Sequence, residues 1–173
     1  NWLVDLGVAV TVYSDAPPPA WVNFTGRHVQ ILHDHERYPA IREPIIIVYS
    51  IFELPGILQM VDTRGRKIYH LCQGVESYHL FDPSETGLNI SLPLLDMLHE
   101  LPVGRLVVSP HLEAYFRERF QQPSLPIFNG IDQRQFTARP QPPAYADHIV
   151  VVTSGDPRQA LKRIAVVKQA VSQ

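Results

Sequence analysis

The sequence is poorest in cysteine: Cys72 is the only one among 173 residues. A lone thiol closes no bridge within a chain, so a disulfide framework is excluded and a reducing compartment is expected. Long apolar runs are missing as well. No stretch approaches the ~18 consecutive apolar residues of a membrane span, and the first residues lack a signal-peptide pattern. The expected location is cytoplasmic. Neither sign of charge dominates. Fifteen basic residues face 17 acidic ones, for a net charge of -2. That excludes the broad basic footprint of a nucleic-acid-binding domain, though not a local phosphate site. Glycine is scarce, nine residues against 16 prolines. This balance implies short elements ended by rigid loops. What is plentiful is apolar: 45% of residues are hydrophobic and only 18% charged, the composition of a globular chain rather than a disordered one.

Strand and helix patterns alternate along it. Trp2-Leu3-Val4-Asp5-Leu6-Gly7 reads as the last turns of a helix closed by a glycine. Val8–Tyr13 follows as a buried strand, an order that implies an earlier strand upstream. Further strands are expected at His28–Leu32, Pro44–Tyr49, Lys67–Cys72 and Arg105–Val108. Pro44–Tyr49 is apolar throughout, as expected for a strand covered on both faces of a parallel sheet. Ser50 is placed to cap a helix with Leu54, Ile57, Leu58 and Val61 on one face and Pro55 in its first turn. Ser109-Pro110 opens another, whose apolar face is Leu112, Tyr115, Phe116 and Phe120.

TARPQPPAYA, from Thr137 to Ala146, reads as a semi-rigid linker. Beyond it lie a strand at His148–Thr153 and a helix opened by Asp156-Pro157, with Ala160, Ile164, Val167 and Val171 at helical spacing. The expected fold is therefore α/β: a Rossmann-like, doubly wound parallel sheet over residues 1–136, a linker over 137–147, and the first strand and helix of a second domain over 148–173.

In such sheets ligands bind beyond the carboxyl ends of the strands. Three segments fall there. Gln73, Glu76, Tyr78 and His79 follow one strand. An amide, a carboxylate, a phenol and an imidazole can grip a hydroxyl-rich ligand, and Glu76 or His79 could act as a general base. The alternative is an ordinary polar loop. Ser109 is most simply a helix N-cap, although a helix N-terminus beyond a strand also suits an anion. Asn129-Gly130 is a turn signal that tolerates positive φ. No P-loop and no GxGxxG fingerprint is present. His33-Asp34-His35-Glu36 reads as a solvated loop, since adjacent loop residues seldom converge on one ion, so no metal site is expected.

Taken in order, CQGVES, PVGRLVVSPHLEAYFRERF and PIFNGIDQRQF resemble the N-terminal half of a GT-B glycosyltransferase of the large retaining group called family 4. The family places a serine after a strand, about 20 residues ahead of an Asn-Gly-Ile/Val-Asp turn and a Phe. Ser109, Asn129-Gly130-Ile131-Asp132 and Phe136 match that spacing. Gln73 and Glu76 resemble a sub-group with rhamnosyltransferase-like members.

The resemblance implies a two-domain enzyme of polysaccharide-biosynthesis type. It would transfer a hexosyl or deoxyhexosyl group from a nucleotide-sugar donor to a glycan or lipid-linked acceptor. Anomeric configuration is retained, and neither a metal nor a cofactor is needed. Gln73, Glu76, Tyr78, His79 and Ser109 then fall on the acceptor side of the cleft. Asn129, Gly130, Arg158 and Lys162 fall on the donor side. No nucleic-acid partner is implied, and peripheral association with the cytoplasmic membrane face is left open. The family's glycine-rich first loop and its E-x7-E pair do not occur in these 173 residues, so the catalytic residues are unassigned and the isolated chain is expected to be inactive. Two other readings stay open: a non-catalytic carbohydrate-binding module on the same scaffold, and an unrelated doubly wound enzyme.

Overall fold

The computed structural model describes residues 2–18, 20, 23–31, 38, 40–76, 91–130 and 164–171. Among them three strands follow the first helix, helices and strands alternate from there on, and the strand pairs with a defined register run parallel. The chain is thus α/β with parallel-strand sheets, compatible with a Rossmann-like fold. It divides into two compact units, Asn1–His70 and Leu71–Gln173. The expected linker at 137–147 and the strand at 148–153 lie outside the described residues, as does the 33–36 loop.

The first unit opens with helix α1, Trp2–Asp5. Gly7 ends it at φ 80. The Gly7 N–H donates to Val4 O and the Val8 N–H to Leu3 O, both at 2.9 Å. This paired closure requires a left-handed residue, which glycine supplies without strain. The strand expected from Val8 begins later, as β1 (Thr11–Ser14), because the Val8 N–H is already spent on the helix end. β1 pairs with β2 (Arg27–Gln30), Thr11 opposite Arg27 and Ser14 opposite Gln30.

Strand β3 (Ile45–Val48) pairs with Lys67–His70 of β4 (Lys67–Cys72). The apolar run does not make β3 buried on both faces. Ile46 and Val48 point inward, while Ile45 and Ile47 are more than half exposed, following the period-two alternation of a strand. A 3-10 turn, Ile51–Glu53, leads into α2, Leu54–Met60. Ser50 has the extended backbone of a cap, but its hydroxyl makes no capping bond, because the chain enters through the 3-10 turn. Leu54, Ile57 and Val61 are buried as their spacing predicts. Gly56 lets Tyr38 lie close on α2: an added Cβ would sit 3.2 Å from the Tyr38 ring.

The second unit takes in the end of β4, then α3 (Leu92–His99), β5 (Gly104–Val107), α4 (Pro110–Phe120), β6 (Leu125–Pro126) and α5 (Ile164–Val171). β5 and β6 are parallel, with Leu106 opposite Leu125 and Val107 opposite Pro126. The core is Cys72, Val107, Leu112 and Phe116, with Val75, Val108, Tyr115 and Phe120 packed around it. Burying a side chain such as Phe116 contributes about 1.5–3 kcal/mol before any cavity effect. α4 is capped at both ends. Ser109 Oγ accepts from the Leu112 N–H at 3.3 Å. Gln121 closes the last turn in the left-handed region, at φ 52. No helix among the described residues is long and apolar enough to cross a membrane.

Candidate functional site

Three segments of the second unit follow the carboxyl ends of strands, and each carries residues singled out from the sequence. Gln73 and Glu76 follow β4, Ser109 follows β5, and Asn129-Gly130 follows β6. β5 and β6 are parallel partners, so Ser109 and Asn129 leave neighbouring strands at the same end. Tyr78, His79, Arg158 and Lys162 lie outside the described residues.

The loop after β4 separates the two residues of its Gln-x-x-Glu. Gln73 is exposed and accessible to a ligand. Glu76 turns inward, its side chain 13% exposed, to within 3.4 Å of His99 Nε2. His99 is fully buried and wedged between aromatic rings. Its centroid lies 5.2 Å from that of Phe116 and 5.4 Å from that of Phe120. Arg105 completes the cluster from β5. It is buried, donates from Nε to Gln122 Oε1 at 2.6 Å, and lays its guanidinium 4.7 Å from the Phe116 ring centroid. Its Nη1 and Nη2 make no hydrogen bond of sound geometry among the described residues. The Cys72 sulfur and the Glu76 carboxyl favour its charged form, against the desolvation that opposes it.

Burial sets the electrostatics of this cluster. It pushes the Glu76 carboxyl above its ordinary range, against its own backbone N–H and the Arg105 charge. The Arg105 guanidinium is lowered by the same desolvation. The Cys72 thiol rises to about 11, with burial the largest cause. Glu76 is thus held inside the protein beside an imidazole and a guanidinium. What the arrangement can do is anchor the loop that presents Gln73.

Ser109 has its oxygen engaged at the helix cap. Asn129 and Gly130 are exposed, and neither has a positive φ. An added Cβ on Gly130 would meet nothing within 4 Å. The Ile127 N–H donates to Val107 O at 2.7 Å, carrying the pairing with β5 one residue beyond β6. No group of metal-ligating side chains occurs among the described residues.

His99 and Arg105 were not among the residues singled out from the sequence. Arg105 had a visible signal, one cation inside the apolar run Val103–Val108. His99 sits on α3, a helix announced by Ser91, whose Oγ accepts from the Leu94 N–H, and by Pro93 in its first turn. A hollow of about 340 Å³ lies between Glu113, Arg117 and Gln121–Ser124. It is at the C-terminal end of α4, away from the strand carboxyl ends where α/β ligands bind. Compared with known proteins, the chain matches no family model, no curated protein and no solved structure.

Proposed function

We propose that the chain is the acceptor-side half, and the start of the donor-side half, of a retaining glycosyltransferase of the GT-B kind. The observation that carries this reading is the order β5, Ser109-capped α4, parallel β6 and then Asn129-Gly130. It fits the motif spacing that resembles family 4. In this reading Gln73 bonds acceptor hydroxyls from the rim, and Glu76 holds the rim in place from beneath. Arg158 and Lys162, four residues apart in sequence, take the negative charge of the leaving diphosphate.

The test is a donor screen on the protein of the complete open reading frame. Each of a panel of uridine-, guanosine- and thymidine-diphosphate sugars is supplied with glycan acceptors, and nucleotide release is measured. Release from one donor class, lost in Arg158→Ala, is expected. A frame that encodes no E-x7-E pair and releases nucleotide from no donor would overturn the reading and favour a carbohydrate-binding module.

A further inference from the structure

The first unit carries a hollow of about 350 Å³ that the reading above does not use. Its volume is at the low end of the ~300–1,000 Å³ common for small-molecule sites. Val12, Pro17, Pro18 and Phe24 give it apolar walls, and Ser14 and His28 are its hydroxyl and imidazole. Val12 and Ser14 share one face of β1, and His28, opposite Val12, comes from the adjacent strand.

We propose that this hollow binds a neutral ring bearing a hydrogen-bond donor, of which a phenol is the simplest example. The chemistry follows from where the protons are. The Ser14 hydroxyl donates to Ala16 O at 2.6 Å. The 2.8 Å contact between Ser14 Oγ and His28 Nε2 is then made by an Nε2–H donating to the oxygen. Ser14 is left with one lone pair and no proton to give. In the tautomer whose single ring proton sits on Nε2, His28 Nδ1 is also an acceptor, and His28 makes no other hydrogen bond among the described residues. A bound molecule must therefore bring the donor, and an acceptor-only anion meets no hydrogen there. The same proton placement excludes Ser14 as an activated nucleophile, because its proton points to a carbonyl rather than to the imidazole.

The walls are fixed in advance. Prolines hold Pro17-Pro18 at one backbone angle. Gly26 leaves room for the Phe24 ring: an added Cβ would collide with that ring and sit 2.8 Å from Val10 O. Gln30 Nε2 ties down the turn after β1 through Asp15 O at 2.9 Å.

The experiment titrates the 173-residue chain with phenol, benzoate and methyl glucoside, following the side-chain NMR signals of Phe24 and His28. Phenol is expected to shift both signals saturably. Benzoate, with no donor, should bind about tenfold more weakly or not at all. Ser14→Ala should weaken phenol about fivefold. Gly26→Ala, which retains the Ser14 hydroxyl and the His28 imidazole, should weaken it by displacing Phe24 and the backbone beside Val10 O. A thermal melt of each variant confirms that it folds. Methyl glucoside separates the sources of such a ring: saturable binding extends the site to sugars, still with a donor hydroxyl. Benzoate binding as tightly as phenol, or phenol failing to move Phe24 and His28 in the folded wild type, would overturn the proposal. Neither result bears on nucleotide release by the complete protein, so failure here is distinguishable from failure of the glycosyltransferase reading.

Discussion

Cys72 shows how one environment sets one residue's chemistry. It is fully buried in the core with Val107, Leu112 and Phe116, and its thiol is pushed up to about 11. Thiolate is the reactive form, so the native thiol should be inert. Iodoacetamide at pH 8 is expected to leave it unmodified in the folded chain and to alkylate it fully in denaturant. Prompt labelling of the native chain, read by mass spectrometry, would contradict this placement. Glu76 gives a pH signature with a defined sign. Its folded pKa is raised by burial above the ordinary 4.5. Its contribution to stability is therefore complete below about pH 4.5 and is lost as pH rises through the raised folded value. His99 and Arg105 face the same carboxyl. The clean observable is thus the difference between the wild type and Glu76→Gln. Relative to the variant, the wild type should lose urea resistance as pH rises above the ordinary 4.5. Parallel profiles for the two proteins would show that Glu76 is not desolvated in the native chain.

At the scale of elements, α4 carries the second unit. Phe116 lies under Arg105 and beside His99, so Phe116→Ala removes a core ring together with its contacts to both. A loss of about 3–5 kcal/mol is expected in chemical denaturation. The helix ends offer finer tests. Ser109→Ala should cost about 1 kcal/mol through the lost cap. Gln121→Gly should stabilise by roughly as much, since it relieves a left-handed non-glycine residue at φ 52. A destabilised Gln121→Gly would mean that the side chain makes a contact outweighing its strain. Both caps were legible in part. Ser109-Pro110 announced the start of α4, and its apolar positions followed helical spacing. The end carried no glycine to announce it. α3 is hard to read from sequence because LPLLDML is apolar nearly all round, so its period is weak and only Ser91 and Pro93 mark it. Burial on one face of β3 was also beyond the sequence, since an unbroken isoleucine run carries no alternation to read. For the candidate site, sequence order located Gln73, Ser109 and Asn129 beyond strand ends, but it does not encode that Glu76 turns inward. That depends on His99 and Arg105, distant in sequence and brought beside it only by packing.

At the scale of the whole molecule, the question is how much of a donor site 173 residues can hold. On the glycosyltransferase reading the donor is gripped from both sides: by a glycine-rich loop after the first strand of the N-terminal half and by an E-x7-E pair, neither of which this sequence contains. What remains for a diphosphate is Arg158, Lys162, the Asp156-Pro157 segment and Asn129-Gly130. Asn129 and Gly130 are exposed, and Gly130 leaves open space around it rather than a cradle. Contacts of solvated cations and helix ends with an anion contribute on the order of 1 kcal/mol each. A few of them reach about −4 kcal/mol, which corresponds to a roughly millimolar Kd. Isothermal titration of the chain with a panel of sugar nucleotides should therefore give no saturable heat at micromolar concentrations. Arg158→Ala and Lys162→Ala should each weaken what binding there is by only a few-fold, and added salt should weaken it further. Micromolar binding that survives both substitutions would place the donor pocket among the acceptor-side residues, and the division of labour between the two halves would have to be reversed.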